Sequence, residues 1–404
     1  GSQILFTTED GILAEAAKKL ENEVKAQYPE AKFGDGLGLY PKGAYEGIKA
    51  TLELLKSAQD PSEKIQDKKA AFQSAKDFLE ILSLNLPKDG DLLYIAATRD
   101  NNVKYFTSQV HAKGDVDYDH KSSEGFLTTK ATKTADAVFL YTLKGKKATL
   151  TSVATGRRVV LGERAEDHVF YPTMAAEAGD GTQFQVSSRD GKYTFDGGGH
   201  FLASDANMDY ALTYNSFSLF AGLRLERVGT TLPVHIGEGG YASFWCPSEY
   251  TVPEGVTAFR LHIVGGHVML TPIEGNVPKN TGIILKGTAN TDVNLTLVPN
   301  GTTPAIADNL LQGSAEPQTL TTPVYALKKT GRLVKVTGYM PAFKAYFTAT
   351  ESQVRELLER GLTGIVNVEA QQEQAPIYDL SGRRVQNTTK GQLYITNGKK
   401  FIAK

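Results

Sequence analysis

The 404-residue chain contains a single cysteine, Cys246. One thiol forms no intramolecular disulfide and builds no thiolate metal cluster. Its setting, Phe244-Trp245-Cys246-Pro247, reads as the end of an apolar strand, so a buried and inert thiol is expected rather than a nucleophile. No run approaches the roughly 18 consecutive apolar residues that a membrane helix needs. Neither sign of charge dominates: 44 Lys and Arg stand against 45 Asp and Glu, a formal net charge of −1, and the basic residues are scattered. That balance gives no electrostatic case for a nucleic-acid or anionic-membrane partner. Catalytic signatures are missing too. There is no G-x-S-x-G elbow, no H-E-x-x-H pair, and the cluster Gly34, Gly36, Gly38 lacks both the G-x-G-x-x-G spacing and a preceding strand. Carboxylates for glycoside hydrolysis are plentiful, but with 45 acidic residues pairs arise by chance. A non-catalytic protein is the expectation.

A chain this long exceeds one hydrophobic core, so several domains are expected. The first 85 or so residues carry the helical period. Ile12, Leu13, Ala16, Ala17, Leu20 and Val24 form one apolar stripe behind a cap at Thr8 or Asp10. Ala44, Tyr45, Ile48, Leu52 and Leu55 form a second after Pro41. A third, with Ile65, Phe72, Leu79 and Leu82, is expected to start at Asp60-Pro61-Ser62-Glu63, where the Asp can cap and the Glu can reach back to it. Three stripes predict a three-helix bundle over residues 1–88.

From Asp91 the period changes to two. Apolar strands starting at Leu93, Phe139 and Phe184 return after 46 and 45 positions, each followed by a turn and another strand. Three such units predict a β-trefoil over 91–229, closed by Phe220, Leu223 and Leu225. Short alternating runs such as Ala258–Ile263, His267–Leu270 and Gly282–Leu285 predict an antiparallel β-sandwich or barrel over 231–368, with a short helix at Glu351–Arg360. The Gln-rich stretch Glu369–Pro376 is a linker, and two strands at Pro376–Leu380 and Gln392–Thr396 form a C-terminal β tail over 376–404.

Several stretches carry a resemblance. Phe33-Gly34-Asp35-Gly36-Leu37-Gly38-Leu39-Tyr40-Pro41 between helices resembles the FIVAR-like helical modules of bacterial surface proteins. The repeated units, with turns such as Asp190-Gly191-Lys192-Tyr193, look like a ricin-type β-trefoil, although no Gln-x-Trp triplet occurs. Gly240-Tyr241-Ala242, the stretch Val277–Leu285 and Lys344-Ala345-Tyr346 are similar to a β module of exported proteins of anaerobic gut bacteria. The ending, from Ile377-Tyr378-Asp379-Leu380 to Gly398-Lys399-Lys400, resembles a type IX-like sorting tail. These resemblances imply an exported multidomain protein, secreted or held at the cell surface; Gly1-Ser2 reads as a vector remnant, so any native signal peptide is expected to have been removed and its absence says nothing about localisation.

Sugar binding asks for an exposed aromatic face beside a few amides and carboxylates. Tyr210, Tyr214 and Phe217 around Asp205, Asn207, Asp209 and Asn215 form the first candidate patch, and Tyr118 between Asp117 and Asp119 the second. The bland alternative is that these aromatics fill the trefoil cap. Trp245 is expected in the core rather than as a platform. Asp115, Asp117 and Asp119 alternate as the oxygen ligands of a calcium loop do, yet the sixth position is His120 rather than Gly and the twelfth Phe126 rather than Glu, so a solvated turn competes with a calcium site. His111 and His120 lie nearby without metal-ligand spacing, while His262 and His267 flank Gly265-Gly266 as facing hairpin strands would. The partner expected is a glycan or cell-surface polysaccharide. The rival readings are an adhesin-like stalk contacting another surface protein, and the accessory region of a larger glycoside hydrolase.

Overall fold

A computed structural model of the chain describes residues 8–369, 377–381, 383–385, 389–396 and 399–402. Helix α1 (Glu9–Gln27) begins at Thr8, whose Oγ1 accepts a hydrogen bond from the Gly11 amide at 3.1 Å. The two-residue strands β1 (Phe33–Gly34) and β2 (Tyr40–Pro41) follow and pair in parallel. Helices α2 (Ala44–Ser57) and α3 (Ile65–Ile81) complete this region, and the three helices bury Ala17, Val24, Ile48, Leu55, Ala71 and Ala75 against one another. Two expectations need correction. Ile12 heads the first stripe but is largely exposed. The third helix starts at Ile65, because Asp60 Oδ1 accepts from the Ser62 amide and hydroxyl and closes a local turn instead of a cap. The face α3 buries includes Lys68, whose ammonium reaches Asp10 at 2.8 Å.

Twelve strands follow: β3 (Leu92–Arg99), β4 (Asn102–Val110), β5 (Leu127–Lys130), β6 (Phe139–Lys144), β7 (Lys147–Ser152), β8 (Val159–Arg164), β9 (Val169–Met174), β10 (Phe184–Arg189), β11 (Lys192–Asp196), β12 (Phe201–Ala203), β13 (Leu212–Tyr214) and β14 (Leu223–Arg227). Six of them form a closed antiparallel ring in the order β3, β6, β7, β10, β11, β14 and back to β3. The other six pair as β4–β5, β8–β9 and β12–β13. The chain therefore runs ring strand, hairpin, ring strand three times. Closure removes unpaired edges from the ring. Phe139 and Phe184 hold corresponding places in this order, and so does Leu223; all three are buried in one core. Leu93 belongs elsewhere. It faces Phe139 across the β3–β6 pair, so the spacing of 46 joins ring neighbours and only the spacing of 45 joins corresponding strands.

Both faces of β3 are covered. Leu93, Ile95 and Ala97 point into the ring's core, while Tyr94 and Ala96 point outward and pack with Leu232, Phe244 and Phe343. This is the period-two alternation with apolar residues on each side, which makes the whole strand read as hydrophobic. The inter-helix loop docks on the ring. The Tyr193 hydroxyl accepts from the Gly38 amide at 2.8 Å and donates to the Asn85 carbonyl at 2.7 Å, and Asn85 Nδ2 donates to the carbonyls of Gly34 and Gly36. Tyr40 and Leu84 join the ring core.

The remaining chain is antiparallel. Strands β15 (Thr231–Ile236), β16 (Tyr241–Cys246), β17 (Tyr250–Thr251), β18 (Thr257–Val264), β19 (His267–Pro272), β20 (Thr281–Lys286), β21 (Thr291–Leu297), β22 (Gln318–Leu327), β23 (Leu333–Met340) and β24 (Tyr346–Phe347) make three sheets, ordered β15-β21-β17, β16-β20-β18-β19 and β23-β22-β24. β18 and β19 are the hairpin flanking Gly265-Gly266, with His262 opposite Met269 and His267 opposite Val264. Helix α4 (Glu351–Glu369) is interrupted at Gly361, where φ is 67°, so its regular first segment ends at Arg360. Strands β25 (Ile377–Tyr378), β26 (Arg384–Val385), β27 (Leu393–Thr396) and β28 (Lys399–Ile402) form a final four-stranded sheet. The Gln-rich linker at 370–376 lies outside the described residues. Among the described residues no helix is long and apolar enough to cross a membrane.

Candidate functional site

The three hairpins lean on one another. The Ala211 amide donates to the Leu127 carbonyl at 2.8 Å, the Thr129 amide to the Asp209 carbonyl at 2.8 Å, and the Thr213 hydroxyl to the Phe170 carbonyl at 2.7 Å. This contact brings the two candidate patches together. The Tyr118 amide, in the loop between β4 and β5, donates to the Tyr210 hydroxyl at 3.2 Å. Tyr210 itself is buried, edge-on to His111 and Phe126. Its expected place on a ligand face is therefore corrected: its ring fills the cap and its hydroxyl holds the Tyr118 loop. Burial accordingly raises the Tyr210 phenol above its ordinary pKa. Tyr118 is 69% exposed, the aromatic this loop leaves in solvent.

Next to it, Tyr214 stacks on Phe220 with ring centroids 5.6 Å apart, and Arg99 lies 5.3 Å above the Phe220 ring. Arg99 is ion-paired with Asp205. Asp205 Oδ1 also accepts from the Asn207 amide at 3.0 Å, and Asn207 Oδ1 accepts from Asn102 Nδ2 at 2.6 Å. The Tyr214 phenol is raised first by burial, then by the nearby Asp205 charge and the Tyr118 hydroxyl. Asn215 meets His200 at 3.1 Å, and His200 stacks on Phe170 at 4.0 Å. Phe217 is capped by Arg189 at 4.7 Å. Arg99, Asn102 and Phe220 carry no sequence signal that marks them for this face; the β3–β4 turn brings the first two beside residues more than 100 positions away.

The aspartate alternation resolves differently from a calcium loop. Asp117 Oδ1 accepts from the amides of Asp119 and Lys121, both at 3.0 Å, and its other oxygen pairs with Arg164 of β8. Arg164 also binds Asp167 at 2.8 Å, which in turn meets Lys121 at 2.8 Å. Burial pushes the Asp117 carboxyl up, but Arg164 and the two amides outweigh it and leave the pKa lowered. Asp115 turns toward the Ala112 amide and His111, and Asp119 faces solvent. Among the described residues no group of three His, Cys, Asp or Glu side chains could hold a metal ion. The alternation thus encodes a side-chain-closed turn with an arginine clamp. Beside it, a shallow cavity of about 420 Å³ opens between Glu124, Phe126, Arg164 and Tyr171.

Two groups of catalytic type have structural roles. His111 Nδ1 meets Ser123 Oγ at 2.9 Å, and with Ser123 wholly buried the pair ties the loop ends together. Cys246 is buried, and burial pushes its thiol up to about 11, away from thiolate reactivity. Trp245 is half-buried and lies against Gly313, where an added Cβ would stand 2.5 Å from its side chain.

The chain is similar to a solved ricin B-like lectin of Macrolepiota procera in complex with lactose, at 10% identity and a TM-score of 0.28, over 36% of this chain and 100% of that one. It is also similar to a Polyporus squamosus lectin bound to the human-type influenza-binding epitope Neu5Aca2-6Galb1-4GlcNAc, at 10% identity and a TM-score of 0.28, over 37% of this chain and 52% of that one. No family model and no curated protein matches the chain.

Proposed function

We propose that this is a secreted or surface-exposed, non-catalytic glycan-binding protein whose closed ring and three hairpins form a β-trefoil spanning 91–229. In this reading residues 1–88 form a three-helix bundle, 231–368 a β module and 376–404 a C-terminal tail, and these three serve as spacers and supports. The observation that carries the reading is the hairpin face. It sets exposed Tyr118 and the Tyr214–Phe220 stack beside the Arg99–Asp205 pair and the Asn102–Asn207 amides. Aromatic faces take the apolar C–H side of a sugar ring, and fixed carboxylate, guanidinium and amide groups take its hydroxyls. Asp205 and Asn207 are already held by backbone and side-chain partners, so little ordering is left to binding. No bound calcium enters this proposal.

A glycan array tests it. Hits sharing one terminal sugar are expected, and Tyr118→Ala should weaken them about tenfold, the worth of one aromatic contact near 1.4 kcal/mol. The melting temperature should stay put, because the Tyr118 ring projects into solvent. An array without hits would refute the proposal and favour the adhesin-like stalk.

A further inference from the structure

A second cavity, of about 770 Å³, lies between the ring and the C-terminal sheets. Its ring side is made by Gln109, Lys130 and the segments 134–136 and 154–155; its other side by His235, Tyr241, Asp292 and the lysines Lys328, Lys329 and Lys344. The two acidic groups here already have partners. Asp136 holds Lys130 at 2.8 Å, and Asp292 holds His235 at 2.8 Å while accepting from the Ala135 amide at 3.0 Å. Lys328, Lys329 and Lys344 have no carboxylate within 4.0 Å among the described residues.

Lys344 is the most constrained of the three. Its Nζ donates to the Ala154 carbonyl at 2.8 Å. Burial, then the charge of Lys329, draws its ammonium down to about 8, as expected of a cation without a counter-charge. The preceding residue, Phe343, is buried with φ at 58°, a conformation that costs a bulky residue energy and is fixed here by hydrogen bonds to Ser314 and Trp245. Strain of this kind persists where the surroundings over-determine a geometry. The cavity also touches Tyr241, whose hydroxyl is buried without a hydrogen-bond partner among the described residues.

We infer that this cleft is a binding site for an acidic sugar, a hexuronate or a short saccharide ending in one, with its carboxylate on Lys344 between Lys328 and Lys329. Lys344, without a carboxylate partner, and the two exposed ammoniums beside it favour an oxyanion in the cleft. The rest of the lining, with Gln109, the hydroxyls of Thr134 and Thr155 and the side chain of Leu327, suits a hydroxylated ring better than a bare inorganic ion. The volume falls in the range of small-molecule sites, roughly 300–1,000 Å³. This site is separate from the Tyr118 face and stands or falls without it.

The test uses the unmodified protein and one variant. Acetylation by an N-hydroxysuccinimide ester, read lysine by lysine by mass spectrometry, should modify Lys344 at pH 8. Millimolar glucuronate or galacturonate should protect it at least fivefold, and glucose or galactose should not. Calorimetric titration with the same uronates should show saturable binding that Lys344→Met weakens tenfold or more and Tyr118→Ala leaves unchanged. Absence of protection, equal protection by the neutral sugars, or inorganic sulfate protecting as well as the uronates would each overturn the assignment. Loss of uronate binding in Tyr118→Ala with Lys344 protection abolished would overturn it as well, since the ligand would then belong to the hairpin face.

Discussion

Replacing Gly156 with Ala should unlock the joint between the ring and the C-terminal sheets. Gly156 ends the turn after β7 with φ at 67°. A Cβ there would stand 1.9 Å from the Ala342 carbonyl oxygen and 2.7 Å from the Ala342 amide nitrogen, both backbone atoms that cannot rotate away. The left-handed conformation alone costs an alanine about 1 kcal/mol. Relieving the clash means moving the segment around Ala342, which gives up the Ala342 amide's 2.9 Å bond to the Gly156 carbonyl, worth about 1 kcal/mol, and loosens Phe343, whose full burial is worth about 2 kcal/mol. A loss of roughly 4 kcal/mol follows from these parts. Trp245 is the single tryptophan, and its amide donates to the Phe343 carbonyl at 3.1 Å, so its fluorescence reports on this joint during urea unfolding. The control is Gly145→Ala. Gly145 has φ at 64° but nothing within 4 Å of an added Cβ, so it should lose only the conformational part, about 1 kcal/mol. Equal losses in the two variants would refute the reasoning, because the clash would then count for nothing.

The loop that presents Tyr118 should open in acid. The carboxyls of Asp117 and Asp167 are both held below their ordinary values, Asp117 by Arg164 and two amides against burial, Asp167 by Arg164 and Lys121. Their stabilisation is fully present above the unfolded carboxyl pKa near 4 and is lost as the pH falls through the lowered folded values. Hydrogen exchange at the Asp119 and Lys121 amides should therefore be flat from about pH 7 to 5 once corrected for intrinsic rate, and should rise below about pH 4; a rise already near pH 6 would contradict the carboxylate clamp. Cys246 should ignore a disulfide reagent at pH 8 in the folded protein and react at once in denaturant, and rapid labelling of the native chain would contradict its burial.

The parts of the fold that follow a local rule were legible in the sequence. Thr8 caps α1, Gly265-Gly266 turns β18 into β19, and α4 changes course one residue beyond Arg360. Errors arose where a local signal had two outlets. Asp60 spends its carboxylate on Ser62, leaving α3 to start without a side-chain cap. Leu93 and Phe139 are both apolar strand starts, and only pairing reveals that they face each other rather than repeat. The candidate site was half legible for the same reason. Aromatics and carboxylates close in sequence marked Tyr118, Asp205 and Tyr214, but burial alone separates exposed Tyr118 from enclosed Tyr210. Arg164, which closes the aspartate turn, comes from another hairpin, 47 positions from Asp117.

The way the ring is covered also restricts where it can meet a ligand. One end is closed by the helical region, through Tyr40, Leu84 and the Tyr193 bonds to Gly38 and Asn85. The outward side chains of β3 and β4, Tyr94, Ala96 and Tyr105, are spent on the C-terminal sheets, and the ring interior is filled by Phe139, Phe184 and Leu223. A groove cannot open through a filled interior without losing those contacts. The hairpin end is different. Neither of the two cores that involve the ring includes a residue of the 115–121 loop or of β13. At that end the 115–121 loop is held by hydrogen bonds and the Arg164 clamp, which position side chains without covering them. A surface that is ordered but uncovered is what a small polar ligand requires, and Tyr118 stands on it with its ring free, beside the Tyr214–Phe220 stack.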